Sequence, residues 1–387
     1  MGIIVQKFGG TSVSNIERIK QIVPKIQKEI NRGHYVAVVI SAMAGFTNSL
    51  VEYCKAISSL INTQEKAIVD FVLSNGENIS CGLMSLALNN NGIKSIPLQG
   101  WQIPITTDNQ NTSALILNIN HKIILEYLNQ GFVPVICGFQ GINNNNITTL
   151  GRGGSDITAV AVAASISAER CDIYTDVSGI YSADPRIIHN AYKISKIDHN
   201  TMLEFSYQGA KVMHPRSIEI AKTFGINLNV LSSFEEEIGT QIVANKHMEQ
   251  SKIIGIVCNP NIFMVEIEST KPLHKILLEL KAEVLSAFNS GKIIKIICSM
   301  EEMNKIEQIL EKNYDMFTIR SDVAIVSVIG NRLLNEKSLI NKILKVISDF
   351  EISYFNPEHS RISMLLNEED AQNLTQKLHK EFIEDNH

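Results

Sequence analysis

The sequence lacks several features that would assign it to a common functional class. Its net charge is -5 at pH 7 and its pI about 6.1, so no overall basic field attracts nucleic acid. No apolar run approaches the roughly 20 residues that a membrane-spanning helix needs. We therefore expect neither nucleic acid nor a membrane among its partners.

Cysteine is also used without any pattern that suggests a metal or a disulfide framework. The six cysteines are widely scattered, with no Cys-x-x-Cys pair and no Cys/His cluster of zinc-ligand spacing. We expect small buried thiols and no metal held by a dedicated side-chain cluster. The first six residues carry no basic segment of the kind that begins a secretory signal, so the expected compartment is a reducing cytoplasm.

The two familiar phosphate-binding fingerprints are missing as well. The chain contains no Gly-x-x-x-x-Gly-Lys-Ser/Thr loop and no Gly-x-Gly-x-x-Gly turn. Any phosphate site in this chain must therefore use another geometry.

What is present is the pattern of a multidomain globular protein. The 387 residues are 44% hydrophobic and 19% charged, and this length favours two or three domains. Up to residue 245, short apolar strands alternate with amphipathic helices; within this part, Ile116 to Leu128 predicts a helix and 143–146 a surface turn. The alternation predicts an α/β domain over 1–245, with a mainly parallel sheet that binds ligands at the carboxyl ends of its strands.

The rest of the chain has a different order of elements. A strand from Ile253 to Ile267 is followed by helix, strand, strand and helix, and the same order returns from Val323. This repeat predicts two tandem ferredoxin-like modules, which we place at 252–320 and 321–387. Modules of this kind bind small effectors or dimerise.

The most informative stretch is Thr148-Thr149-Leu150-Gly151-Arg152-Gly153-Gly154-Ser155-Asp156, between an apolar strand and an Ala- and Val-rich helix. Its glycines allow a ligand to approach the backbone, and the first turn of the helix favours an anion. Arg152 adds a planar fork suited to a carboxylate or phosphate. Ser155 and Asp156 are residues that commonly cap helices, so an ordinary strand-to-helix loop explains the stretch equally well when it is taken alone.

Two other predicted strand ends repeat the arrangement. Lys7 precedes Gly9 and Gly10, and Ser41 follows the strand that ends at Ile40. A lysine at the end of a buried strand is costly unless it meets an anion; the alternative is a lysine that extends along the sheet edge into solvent. Glu77 lies at a predicted helix start, where a capping carboxylate is the simpler interpretation.

Taken together and in order, the motifs resemble those of the aspartate kinase family in the amino-acid kinase superfamily. The resemblance covers about residues 3–234, and the tail resembles the tandem ACT domains of the same family more weakly. It implies a three-layer αβα amino-acid kinase fold with a mainly parallel sheet, followed by tandem ferredoxin-like (βαββαβ) ACT domains. The motifs are Lys7 to Val13, Ser41 to Met43, Gly76-Glu77, Thr149 to Asp156, Tyr174 to Val177, Ala183 to Arg186 and Gly209 to Lys211.

The resemblance also implies an activity. The γ-phosphoryl of ATP would be transferred to the β-carboxylate of L-aspartate, giving 4-phospho-L-aspartate for the lysine (diaminopimelate), threonine and methionine branches. Mg²⁺ would be held mainly through the nucleotide phosphates. Fixed cations and amides around the transferring group are what such a reaction needs.

Residue roles follow by the same analogy. Lys7 and Asp156 are expected to be catalytic, with Asp156 orienting Lys7. The residues expected to bind aspartate are Ser41, Thr47, Glu77, Arg152, Gly153, Gly154 and Ser155. The residues expected to bind ATP are Lys7, Phe8, Gly9, Gly10, Thr175, Asp176, Tyr181, Asp184, Arg186 and Lys211, although Tyr181 could be ordinary core; His214 is expected to be structural.

The tail departs from the family pattern at the loops where effectors would bind. Glu268 to Leu273 replaces the usual acidic-x-Pro-Gly loop, and Asn356 to Arg361 replaces the usual Gln- and Glu-bearing segment. Lysine or threonine remains a candidate effector, with feedback weakened or lost, and we expect a homodimer or larger homo-oligomer. Two alternatives stay open: a superfamily kinase for another small acid, and a non-catalytic amino-acid sensor.

Overall fold

The computed structural model describes residues 2–58, 63–210, 212–244 and 252–384. The chain divides into two compact units. The first comprises Met1–Ile180, Lys193–Ser206 and Lys211–Lys246, and the second comprises Tyr181–Tyr192, Tyr207–Ala210 and His247–His387. None of the helices in the described ranges is both long enough and apolar enough to cross a membrane.

Strands and helices alternate from the start of the chain. The first elements are β1 (Ile3–Phe8), α1 (Ile16–Asn31), β2 (Tyr35–Ile40), α2 (Phe46–Ile57), α3 (Thr63–Leu73), α4 (Asn75–Asn90), β3 (Ser95–Leu98), β4 (Ile105–Thr107), β5 (Ile116–Ile119), α5 (His121–Asn129), β6 (Val133–Cys137), β7 (Gln140–Asn143) and β8 (Asn146–Thr149). They are followed by α6 (Gly154–Ser165), β9 (Arg170–Thr175), β10 (Ile180–Tyr181), β11 (Lys193–Ile194), β12 (Lys196–Asp198), α7 (His199–Tyr207), α8 (Pro215–Phe224), β13 (Asn227–Ser232) and β14 (Thr240–Val243).

The core of the first unit is an eight-stranded sheet in the order β12-β14-β13-β9-β1-β2-β6-β3. Every neighbouring pair is parallel except β13 with β14. Side chains of β1 alternate between two helical layers: Phe8 joins the buried cluster with α1 and α4, whereas Lys7 meets α6 on the opposite face. The predicted α/β fold with a mainly parallel sheet is confirmed.

A smaller sheet, in the order β5-β4-β7-β8, corrects one prediction. The stretch from Ile116 to Leu128 was predicted to be a single helix, but residues 116–119 form β5 and the helix begins only at His121. The cause is long-range pairing with β4, since Ile105 faces Ile119 and Asn120 donates its backbone N–H to Pro104 O at 3.2 Å. The predicted turn at 143–146 is confirmed: Asn144 and Asn145 both have positive φ between β7 and β8.

The second unit contains two modules with the same set of elements. Its elements are β15 (Lys252–Asn259), β16 (Ile262–Glu268), α9 (Leu273–Leu280), β17 (Val284–Ser290), β18 (Ile293–Ser299), α10 (Met303–Asn313), β19 (Phe317–Arg320), β20 (Val323–Asn331), α11 (Lys337–Ile347), β21 (Tyr354–Pro357), β22 (Arg361–Asn367) and α12 (Glu368–His379).

These strands form two four-stranded sheets, β17-β18-β16-β19 and β15-β20-β22-β21. The prediction of one strand from Ile253 to Ile267 is therefore wrong, since β15 and β16 belong to different sheets. The chain turns at Pro260, which has no N–H, and the Asn259 side chain accepts the backbone N–H of Asn261 at 3.1 Å. Two ferredoxin-like modules are present, but the first, from β16 to β19, is inserted between β15 and the rest of the second.

Two short segments of the chain before residue 245 pack as part of the second unit. In the segment 181–192, Ser182 accepts the backbone N–H of Ile256 at 2.7 Å, and its hydroxyl lies 2.9 Å from Nε2 of the fully buried His379. In the segment 207–210, the side chain of Gln208 accepts the hydroxyl of Ser327 at 2.7 Å. The domain boundaries at 245 and 320 remain predictions, and the compact units do not follow chain order.

Candidate active site

The carboxyl ends of three strands lie side by side at one edge of the large sheet. Phe8 at the end of β1 pairs with Ile40 of β2, and Ile40 pairs with Cys137 of β6. The loops that leave this edge form a cleft of about 490 Å³, a volume suited to a small molecule. Its polar lining includes Lys7, Ser41, Thr47, Glu77, Arg152, Ser155 and Asp156.

An ion pair spans the sheet edge and the first turn of α6. Lys7 Nζ lies 2.5 Å from Asp156 Oδ1, and both side chains are largely buried. Helix α6 begins at Gly154 with Gly153 as its N-cap, so Asp156 is not a capping residue, and neither is Ser155. Lys7 does not extend into solvent; it presents a fixed positive charge in the cleft, stabilised by one carboxylate.

Glycine is required at two positions that bring backbone into the cleft. A Cβ on Gly10 would lie 2.9 Å from the carbonyl oxygen of Ala42, so the loop after β1 approaches the loop after β2 only because no side chain intervenes. Gly153 has φ +67°, and a Cβ there would lie 2.3 Å from the Cβ of His214. The glycines therefore set how closely the loops converge.

Glu77 is the most unusual ionisable group in the cleft. It lies in the first turn of α4 and is almost fully buried; its Oε1 accepts the backbone N–H of Ala42 at 3.0 Å. Its Oε2 has no hydrogen-bond partner among the described residues. Burial raises the pKa of Glu77 to about 7, against the opposing effects of the Ala42 amide and the Lys7 charge. A buried carboxylate oxygen without a donor beside an open cleft is suited to a ligand that carries a donor.

The other residues predicted to bind aspartate also line the cleft. Arg152 is exposed on the turn before α6, and Ser155 is buried in the first turn of that helix. Ser41 and Thr47 lie on the loop after β2 and in the first turn of α2. The structure thus places every residue predicted to bind the substrate aspartate around one cleft, although their role in binding stays a prediction.

The residues predicted to bind ATP are less concentrated. Gly9 and Gly10 follow β1, and the backbone N–H of Gly9 donates to Tyr174 O at 3.1 Å, next to Thr175 and Asp176 at the end of β9. The Phe8 side chain is core, stacked on the ring of Tyr174 with centroids 4.7 Å apart; the whole residue is buried, and its carbonyl accepts the backbone N–H of Ser41 at 3.2 Å.

The remaining predicted ATP residues lie outside this set. Tyr181, Asp184 and Arg186 belong to the segment that packs with the second unit, where Arg186 Nη2 forms an ion pair with Asp184 Oδ2 at 2.6 Å. Lys211 lies outside the described residues. His214, expected to be structural, is the N-cap of α8, and burial and the charge of Arg216 lower its pKa.

A second ionic cluster in the first unit has a different character. Arg170 donates to Asp172 and to Glu29, and Glu29 also accepts from Arg32 at 2.6 Å. Asn229 donates to Asp172 at 2.8 Å, so each of the four carboxylate oxygens has a donor. Burial raises the pKa of Asp172, whereas in Glu29 the arginines outweigh burial and hold the pKa below its usual value, because Glu29 is the less deeply buried.

Sequence reasoning missed several residues that shape this cleft. The apolar part of its wall includes Met43, Val51, Leu73 and Phe139, whose side chains carry no chemical signal in the sequence. Asp70 and Arg216 were also missed. Asp70 accepts a hydrogen bond from Thr149 at the end of β8, and Arg216 donates one to Leu150, the first residue of the glycine-rich turn 150–154. Only the helical periodicity around Asp70 and the His-Pro-Arg sequence at a helix start could have drawn attention to them.

Comparison with known proteins gives a consistent result. Residues 2–232 match the model of the amino acid kinase family. The aspartokinase of Rickettsia felis is 39% identical to this chain over 96% of it and 97% of the relative, and that of Geobacillus stearothermophilus is 36% identical over 99% and 97%. The crystal structure of E. coli aspartokinase III in complex with aspartate and ADP matches with TM-score 0.82 over 98% of this chain and 99% of that one, at 23% identity.

A parallel sheet with a glycine-lined cleft at its strand ends, together with the family match, defines the class: the chain belongs to the amino acid kinase family. The identity to the two aspartokinases exceeds 30% over nearly the whole of both chains, which narrows the assignment within the family. Within that family the chain belongs to the aspartokinases, and it is therefore a kinase. The resemblance drawn from the sequence motifs is confirmed.

Proposed function

We propose that this chain transfers the γ-phosphoryl group of ATP to the β-carboxylate of L-aspartate, yielding ADP and 4-phospho-L-aspartate. The observation that carries the proposal is one cleft holding a buried Lys7–Asp156 pair and a buried Glu77 oxygen without a donor among the described residues. Aspartokinase relatives across the full chain support it. The product would begin lysine (diaminopimelate), threonine and methionine biosynthesis.

Aspartate carries two carboxylates and one ammonium, and the cleft offers a complement to each charge. Glu77 would accept from the ammonium, since its Oε2 is the buried acceptor still lacking a donor among the described residues. Arg152 would bind a carboxylate through its planar fork. Neutral donors would come from the hydroxyls of Ser41, Thr47 and Ser155 and from the backbone of Gly153 and Gly154.

Phosphoryl transfer requires charge stabilisation more than a base. A β-carboxylate oxygen attacks the γ-phosphorus, the bond to the β,γ-bridging oxygen breaks, and ADP leaves with the electron pair. The nucleophile is already ionised, so no proton needs to be removed. Lys7 would neutralise charge that develops on the transferring group, and Asp156 would hold Lys7 in place, a kind of fixed electrostatic contact that is among the largest contributions to catalysis.

The nucleotide would bind near the loop after β1 and the end of β9, with contacts from Gly9, Gly10, Thr175 and Asp176, and the buried Phe8 would support this loop from the core. Tyr181, Asp184, Arg186 and Lys211 complete the proposed set. Mg²⁺ would be held mainly through the nucleotide phosphates. Among the residues that the structure describes, no cluster of three or more potential metal ligands occurs. When bound, Mg²⁺ would neutralise phosphate charge.

The second unit would serve regulation and assembly. E. coli aspartokinase III has also been solved in complex with lysine and aspartate, in a T-state. Lysine or threonine is the proposed effector of the ferredoxin-like modules, which are ACT domains by resemblance, with a weakened response because of the altered loops at 268–273 and 356–361. We further propose a homodimer or larger homo-oligomer and a cytoplasmic location.

The test is ADP release from Mg-ATP, with the acyl phosphate trapped as a hydroxamate, using aspartate, glutamate and N-acetylglutamate as separate acceptors. We expect hydroxamate with aspartate alone among the three. Hydroxamate with another acid but not aspartate would indicate a kinase for that acid, and nucleotide binding without ADP production would indicate an amino-acid sensor. Repeating the assay with lysine, threonine or both measures the feedback response.

A further inference from the structure

The glycine-rich turn before α6 is held by contacts on consecutive residues. The hydroxyl of Thr149 donates to Oδ1 of Asp70 at 2.5 Å, and Asp70 is fully buried on α3. The backbone N–H of Leu150 donates to Phe139 O at 2.9 Å. A Cβ on Gly151 would lie 3.0 Å from Thr112 O, so this residue is pressed against the loop that precedes β5. The backbone on the amino-terminal side of Arg152 is therefore fixed.

Arg216, at the start of α8, ties this turn to a second loop. Its Nη1 donates to the carbonyl of Leu150 at 2.7 Å, and its Nη2 donates to the carbonyl of Ala114 at 2.8 Å. Ala114 in turn donates its N–H to Thr149 O at 2.9 Å. One planar guanidinium thus spans two chain segments that meet beside the cleft, which is a geometry that a lysine cannot fully reproduce.

The first turn of α8 also meets the other side of Arg152. His214, the N-cap of α8, accepts the backbone N–H of Arg216 on its Nδ1 at 3.3 Å, and its side chain lies against Gly153. Contacts from a single helix start therefore flank Arg152 at Leu150 and at Gly153. Arg152 itself stays exposed on the cleft wall.

We propose that Arg216 is a positioning residue for aspartate, acting by holding the Leu150–Gly154 turn so that Arg152 and the following amides face the substrate. The proposal rests on the proposed function, because it assigns Arg152 to the aspartate carboxylate. Arg216 is absent from the residues lining the cleft, so its effect passes through the turn and not through direct contact. Reduced order of a binding loop raises the cost of ordering it on binding, so we expect the effect mainly in the affinity for aspartate.

The test compares Arg216→Met and Arg216→Lys with Lys222→Met, an exposed cation on the same helix that serves as control. With Arg216→Met we expect the KM for aspartate to rise about 10-fold or more, with kcat at saturating aspartate within about 3-fold and the KM for ATP within about 2-fold. Arg216→Lys should recover part of the aspartate affinity, because an ammonium can keep one of the two carbonyl bonds. Lys222→Met should match the unmodified chain in all three constants.

Three results would overturn the proposal: an unchanged KM for aspartate in Arg216→Met, a proportional rise in both KM values, or failure of both Arg216 variants to fold by thermal unfolding and circular dichroism, which would make the role structural. The unmodified chain separates this from the proposed function. If the unmodified chain forms no hydroxamate from aspartate, the proposed function fails. The assignment of Arg216 then fails as well, because aspartate is not the substrate, and not because the Arg216 variants behave otherwise than expected.

Discussion

Two buried ionic clusters in the first unit contain similar residues but differ in how completely their carboxylate oxygens are hydrogen-bonded. Around Arg170, every oxygen of Glu29 and Asp172 has a donor. Around Lys7, the buried Glu77 keeps one oxygen without a donor among the described residues. Both clusters border a cleft, of about 310 Å³ at Arg170 and about 490 Å³ at Lys7. Incomplete pairing, and not burial of charge or concavity, is therefore what distinguishes the candidate active site.

The largest expected effect separates the two clusters by activity. Lys7→Met should lower kcat about 10²-fold or more, because a cation that contacts developing charge is lost; the variant should stay folded, with a lower melting temperature because Asp156 loses its partner. Hydroxamate assays and thermal unfolding on the same samples measure both quantities. An unchanged kcat would remove Lys7 from the mechanism and with it the contrast between the clusters.

At the Arg170 cluster, where every carboxylate oxygen has a donor, we expect a loss of stability without a loss of activity. Arg170→Met leaves the buried Asp172 and Glu29 with fewer donors, and breaking such a pair should lower the free energy of unfolding by about 3 kcal/mol. At a temperature where the variant stays folded, the KM values and kcat should remain within about 3-fold of the unmodified chain. Urea unfolding measures the first quantity. A selective loss of activity without loss of stability would show that this cluster has a catalytic role.

The third test addresses the unpaired oxygen. Glu77→Gln keeps the size of the side chain but removes the charge that would attract an ammonium, so the KM for aspartate at pH 8 should rise about 10-fold. Because the pKa of Glu77 is about 7, the unmodified chain should bind aspartate more tightly as pH rises through 7, whereas the variant should lose this dependence. Parallel pH profiles for the two proteins would contradict the assignment.

The same substitution should stabilise the protein at high pH. Glu77 has a folded pKa near 7 against an ordinary value of 4.5, so the folded state binds the proton more tightly and stability declines as pH rises through this interval. Relative to Glu77→Gln, the unmodified chain should lose on the order of 3 kcal/mol between pH 5 and pH 8. Equal stability of the two proteins at both pH values would show that folding does not raise the pKa of Glu77.

Much of this architecture could be predicted because the informative residues are local. Strand, glycine turn and helix follow one another within a few residues around 7–16, 40–46 and 149–154, and the parallel strands β1, β2 and β6 bring their carboxyl ends to one edge. The β5 strand could not be predicted from periodicity, since it depends on pairing with β4; nor could the placement of β15 and β16 in different sheets, since β15 pairs with the distant β20. Arg216 was missed for the same reason: its contacts with Leu150 and Ala114 cross 66 and 102 positions.

The insertion of one module within the other has a consequence for biosynthesis. Strand β15 pairs with β20, and the whole of the first module is synthesised between them. At about 5–20 residues per second, a ribosome would expose β15 for several seconds before its partner emerges. The segment Lys252–Asn259, rich in isoleucine and valine, would then be an unpaired strand edge, the kind of surface that chaperones bind and that initiates aggregation when they do not.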